Sequence, residues 1–240
     1  MSWNKSYLDA ILVPIGFGFL LSYHVYHHVQ IKINPLQTII GINNLGKRAW
    51  VRCIMQNNDQ RNVLAVQTLR NSIMGSTLMA TAAILLSTGL AAFLSTTTES
   101  INATVQTSIY GDKGSILVPL KFLSILFCFL FSFICYMQSI RFINYVNYLI
   151  NVPLLDSTTK WSPEFVGDVL VRGGTYHSIG TRSFYTAFAL MLWIFGPIPA
   201  AITAVALIPF FYHLDFVKVK PSRRKDIDDL EASCKTLTRN

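Results

Sequence analysis

Side chains able to hold a cation are few in this 240-residue chain: twelve carboxylates, five histidines and four cysteines. Three of the histidines cluster in Tyr23-His24-Val25-Tyr26-His27-His28. This H-x-x-H-H pattern has the form of clusters that hold two irons in membrane oxygenases. Such a site needs more histidines than the five present. His24 and His28, four residues apart, have the spacing to clamp a single metal ion. Their tyrosine neighbours favour a simpler expectation, a belt of amphipathic rings at headgroup level. No cofactor is expected.

A second constellation combines hydroxyls with acids. Thr77, Thr81, Thr88, Ser95 and Glu99 recur at steps of four, seven, seven and four, which keeps them on roughly one helix face. One reading is a bundle helix whose hydroxyls each bond back to the backbone. The other is an ion pathway, in which hydroxyls replace part of a hydration shell and Glu99 sits at the mouth. Asp9 and Asp112 fall on the same side as Glu99 by the charge argument below. Acids repeated around a ring concentrate cations. Their mutual repulsion is relieved when a cation sits among them, which favours divalent ions. The candidate ion-pathway residues are therefore Glu99, Asp112, Asp9, Thr77, Thr81, Thr88 and Ser95.

The elements that must position these residues are apolar and long. The chain is 52% apolar and 13% charged, with a mean hydropathy of +0.42; soluble domains carry about 25% charge. Four uncharged windows stand out: 22 residues between Asp9 and Lys32, 28 between Arg70 and Glu99, 19 between Lys121 and Arg141, and 32 between Arg182 and Asp215. Each has the length and composition of a membrane-spanning helix. The expected fold is all-α: a polytopic membrane protein with four transmembrane helices per protomer. Residues 1–215 form one transmembrane domain and 216–240 a basic tail.

Residues 1–31 read as a signal-anchor, since only Lys5 precedes the apolar run and no small-x-small cleavage site follows it. The next flank carries Lys32, Lys47, Arg48, Arg52, Arg61 and Arg70 against Asp59 alone. The positive-inside rule puts this flank in the cytosol and the N-terminus in the lumen or outside. The loop at 96–114 has only Glu99, Asp112 and Lys113 as charges, and Asn102-Ala103-Thr104 is a glycosylation sequon consistent with a lumenal position. One conflict remains. Four crossings leave the C-terminus outside, yet residues 212–240 carry seven Lys or Arg. A re-entrant fourth segment is the alternative.

Within that frame, Leu45, Ala49, Trp50, Cys53 and Ile54 could form one face of a short helix at the membrane surface, or the segment could be a docked loop. Residues 60–98 read as one helix whose first turns project into the cytosol. The third span, 115–137, can continue to Asn151, forming another cytosolic extension. It has a polar stripe of Lys121, Ser124, Cys128, Ser132, Cys135 and Ser139, with most of its phenylalanines turned to lipid. Residues 154–182 read as a linker. Within it, Ser162-Pro163-Glu164 starts a helix that Gly173-Gly174 ends. The fourth span, 184–211, is broken at Gly196-Pro197-Ile198-Pro199.

Several functions lack their signals. No phosphate-binding loop, dinucleotide fingerprint or nucleophile elbow is present. The net charge of +8 comes without a recognition motif, so no nucleic-acid partner is expected. Cys53, Cys128, Cys135 and Cys234 do not suggest a disulfide framework. Small and polar residues in the second span need helix neighbours, and four helices enclose little of a pathway alone. A homo-oligomeric cation channel with an acidic lumenal mouth is the leading expectation, with itself, membrane lipids and permeating cations as partners. A membrane scaffold or assembly factor is the alternative, and a membrane-embedded enzyme comes third.

Three stretches, Gln67-Thr68-Leu69-Arg70-Asn71-Ser72, Gly180-Thr181-Arg182-Ser183-Phe184-Tyr185 and Trp193-Ile194-Phe195-Gly196-Pro197, together with the spacing of the spans, resemble a plant membrane-protein family catalogued as domain of unknown function 599. The resemblance covers roughly residues 5–215. Within that family the chain is similar to a crucifer clubroot-resistance branch. That similarity implies a homopentameric, calcium-permeable channel of the endoplasmic reticulum acting in plant immune signalling. It carries over no pore residue.

Overall fold

Proline, glycine and charge cut the chain into six α-helices in a computed structural model that describes residues 5–56, 58–96, 117–152 and 162–217. They are α1 (Lys5–Ile33), α2 (Ile39–Gln56), α3 (Asn58–Thr96), α4 (Leu117–Leu149), α5 (Pro163–Trp193) and α6 (Pro197–Asp215). There is no strand among the described residues; a 3-10 turn at Pro35–Gln37 links α1 to α2. Among the described residues, three segments are long and apolar enough to cross a membrane: Val63–Ser95 in α3, Pro119–Leu149 in α4 and Pro197–Asp215 in α6. The basic tail from residue 218 onward lies outside the described residues.

The long helices at 60–98 and 115–151 are found as α3 and α4. Pro163 starts α5 as expected, and Ser162 caps it by accepting the Phe165 N–H through Oγ at 3.2 Å. Gly173-Gly174 does not end this helix, which runs on for twenty residues to Trp193. The reason is packing. A Cβ on Gly173 would meet Ile143 Cγ1 at 3.2 Å and Phe142 Cβ at 3.3 Å, so the glycine serves close approach of α5 to α4. The real break comes at Gly196, whose φ of 156° suits glycine, and Pro197 then opens α6. Residues 184–211 are thus two helices.

The described residues group into two compact units. The first comprises Met1–His28, Met79–Ile134 and Ile179–Leu214. Its core joins Val13, Ala83, Ile125, Phe129, Phe184, Ala187, Leu190, Trp193 and Ala200. Part of the polar stripe of α4 is used here: Ser132 Oγ donates to Gly180 O at 2.7 Å, and Ser183 Oγ donates to Cys128 O at 2.9 Å. Lys121 is buried, with Nζ 5.2 Å from the Trp193 ring centroid. The phenylalanines divide by face: Phe127 is 67% exposed and suits lipid, whereas Phe122 and Phe129 are core residues.

The second unit comprises Val29–Leu78, Cys135–Ser178 and Asp215–Asn240. In it the segment whose sequence suits a surface helix or a docked loop is the helix α2, packed on the core. Val51, Ile54 and Met55 join Ala65, Leu69, Ile143, Val146, Ile150, Val166 and Leu170 in one core. Two ion pairs bind α2 to α5, Arg48 Nε to Asp168 Oδ1 at 2.8 Å and Arg52 Nε to Glu164 Oε1 at 3.5 Å. Thr38 is fully buried, and its Oγ1 accepts the Gly41 N–H at the start of α2. Val217 N–H donates to Gln37 O at 3.2 Å, so the chain just beyond α6 is paired with the turn after α1.

Candidate functional site

The sequence-derived pathway residues separate. Glu99, Asp112 and the sequon at Asn102 lie outside the described residues, as does the side chain of Asp9 in the first turns of α1. Thr77, Thr81, Thr88 and Ser95 are all exposed along α3. Thr77 Oγ1 donates to Ile73 O at 2.9 Å, Thr88 Oγ1 to Leu85 O at 3.0 Å and Ser95 Oγ to Ala92 O at 2.9 Å. These three hydroxyl protons are spent on the backbone, and each oxygen keeps acceptor capacity. Gly75 and Gly89 are exposed too, and a Cβ on either would meet nothing within 4 Å. Ser76 and Ser87 of the same helix are buried instead.

Among the histidines, the His24 ring shares a 3.1 Å hydrogen bond with Arg182 Nη1, and Arg182 also lies over the Phe211 ring. His27 stacks on Tyr23 and is buried, while His28 is exposed. Among the described residues, no three His, Cys, Asp or Glu side chains gather as a metal site.

The second unit holds a cavity of about 590 Å³ that sequence reasoning did not anticipate. It is lined by Asn43, Gly46, Lys47 and Trp50 of α2, Thr68, Leu69, Ser72, Gly75 and Ser76 of α3, Ser139 and Ile143 of α4, and Leu170, Gly174, His177 and Ser178 of α5. Ser76 Oγ and His177 Nδ1 share a 3.0 Å hydrogen bond, and the Tyr136 ring meets His177 edge-on. Lys47 Nζ occupies the space over Gly174 that any Cβ would need. Burial lowers the Lys47 pKa. His177 is lowered too, first by burial and then by the Lys47 charge. Ser139 is fully buried, and its Oγ has no hydrogen-bond partner among the described residues.

A serine–histidine pair invites comparison with nucleophilic catalysis. Ser76 lies in mid-helix, where backbone N–H groups are committed to carbonyls one turn back. The local backbone therefore offers no pair of donors for an oxyanion. The wall offers a ligand one ammonium, one imidazole, several hydroxyls and an apolar flank.

A family model described as "Protein of unknown function, DUF599" matches residues 11–220. The chain belongs to this family. No curated protein and no solved structure matches it. Of the stretches that resemble the DUF599 family, residues 67–72 supply Thr68, Leu69 and Ser72 to the cavity. Residues 180–185 lie in α5, and 193–197 span the break into α6.

Proposed function

We propose that this DUF599 protein is the protomer of a homo-oligomeric membrane pore for cations. The observation that carries the reading is the outward face of α3, where Thr77, Thr81, Thr88 and Ser95 are exposed. In lipid, such a face gains by close helix packing or by meeting water. A ring of copies supplies both, and hydroxyl oxygens toward an axis suit cations. Calcium permeation, a pentameric ring, an endoplasmic reticulum location and a role in plant defence accompany this reading through the family resemblance.

The bond between Val217 and Gln37 supports an even number of crossings between them. In this reading α3 and α4 make two, α5 leads outward and α6 returns. The basic tail then starts on the basic, cytosolic side, which removes the charge conflict of a four-crossing chain.

The test is planar-bilayer recording of the purified oligomer under bi-ionic calcium and potassium gradients. Glu99→Gln lowers calcium permeability relative to potassium, and Glu99→Lys suppresses cation current more strongly. An unchanged reversal potential and conductance in both variants removes Glu99 from the pathway. A monomer that remains conductive removes the ring. A scaffold or assembly role uses the same α3 face and is favoured if the oligomer forms and passes no current.

A further inference from the structure

We infer that the cavity between α2, α3, α4 and α5 is a binding site for a phosphate group, carried by a lipid headgroup or by a soluble molecule, with Lys47 as its cationic anchor. The cavity wall has one formal charge and no carboxylate. The nearest acids along α5 are committed elsewhere, Asp168 to Arg48 and Glu164 to Arg52. An ammonium withdrawn from water without a counterion is costly, and a bound anion relieves that cost. Gly174 permits this placement, because Lys47 Nζ lies where any larger residue's Cβ would sit.

Ser139 is the second, independent observation. Its hydroxyl is fully buried at the cavity wall without a hydrogen-bond partner among the described residues, whereas buried hydroxyls are nearly always satisfied. A ligand oxygen would accept its proton. A phosphate offers several acceptor oxygens in a tetrahedral array and can meet donors on different walls, Lys47 on α2 and Ser139 on α4. The volume of about 590 Å³ falls in the range of small-molecule sites, roughly 300–1,000 Å³, and exceeds what a bare phosphate fills. Trp50, Leu69, Ile143 and Leu170 provide apolar surface for the rest of the ligand. The basic flank that carries Lys47 belongs, by the positive-inside rule, to the leaflet rich in anionic lipid.

The experiment is calorimetric titration of the full chain in detergent with two probes, inorganic phosphate and a short-chain phosphatidylinositol phosphate. At least one binds. Its affinity falls about tenfold or more in Lys47→Met and in Gly46→Leu; the latter fills the cavity from a position where an added Cβ meets nothing within 4 Å. Ser139→Ala weakens binding several-fold while raising the ligand-free melting temperature, because it removes a buried unpartnered hydroxyl. A serine with only a structural role would not separate these effects. Binding of the lipid alone assigns a headgroup, and comparable binding of inorganic phosphate assigns a soluble source. Failure of both probes to bind the wild type overturns the site. So does affinity unchanged in Gly46→Leu, the variant that decides if Lys47→Met does not fold.

Discussion

Burial makes Lys47 harder to protonate, and burial followed by the nearby Lys47 charge does the same to His177. For His177 the consequence for stability has a definite sign. Its folded pKa lies below the ordinary 6.5, so the unfolded chain binds more protons below that value. Stability is therefore full above the unfolded pKa and is lost as pH falls toward the folded one. We predict that the melting temperature of His177→Gln falls less than that of wild type between about pH 7.5 and about pH 5.5. Parallel curves for the two proteins would show that His177 does not titrate in this window. None of this pair was legible as a site in the sequence. Lys47 counts there only toward the basic cytosolic flank and His177 only among the five histidines. The two meet because α2 docks on α5, and that docking depends on tertiary packing, which local periodicity does not encode.

At the scale of elements, the adjacent glycines of α5 act in opposite ways. A methyl on Gly173 presses on Ile143 Cγ1 and on Phe142 Cβ, the latter an atom that moves only with the α4 backbone. A methyl on Gly174 displaces only the end of the flexible Lys47 side chain. Helix interiors gain up to about 1 kcal/mol when glycine becomes alanine, whereas overpacking costs about 1–3 kcal/mol. We predict that Gly173→Ala lowers stability by about 1 kcal/mol. Gly174→Ala leaves stability unchanged or raises it. Denaturation monitored by circular dichroism in detergent checks both, and equal losses would refute the distinction. This pair also shows why sequence reading ended the helix early. Paired glycines are a common stop signal, and only the neighbour's proximity turns them into a packing surface. The long apolar helices α3 and α4 were legible because their length and lack of charge leave few alternatives. The polar stripe of α4 was legible as a stripe; that α5 bonds Ser132 and the Cys128 carbonyl and leaves Ser139 unpartnered among the described residues was not.

At the scale of the whole molecule, the proposed sidedness rests on the pairing of Gln37 with Val217 and on the charge bias. We predict that single cysteines at Asn44 and Arg223, in a background without native cysteines, react alike with an impermeant maleimide in intact microsomes. A cysteine at Gln106 shows the opposite access. Opposite access of Asn44 and Arg223 would contradict the return of the chain through α6. The sequence exposed this question as a charge conflict without resolving it, since hydropathy alone does not distinguish one broken crossing from two passes.

That same pairing has a temporal consequence. Gln37 and Val217 are 180 residues apart in the chain, and at ~5–20 residues per second the second is made roughly 10–40 s after the first. Throughout that interval the turn beyond α1, with the fully buried Thr38, lacks the strand-like cover that Phe216 provides in the finished protein. Nascent chains stalled before residue 217 are therefore expected to expose the 34–38 turn to protease. Release of the complete chain closes it. Maturation of the basic flank is thus a late, post-elongation event, and mutations near residue 217 act first on biogenesis.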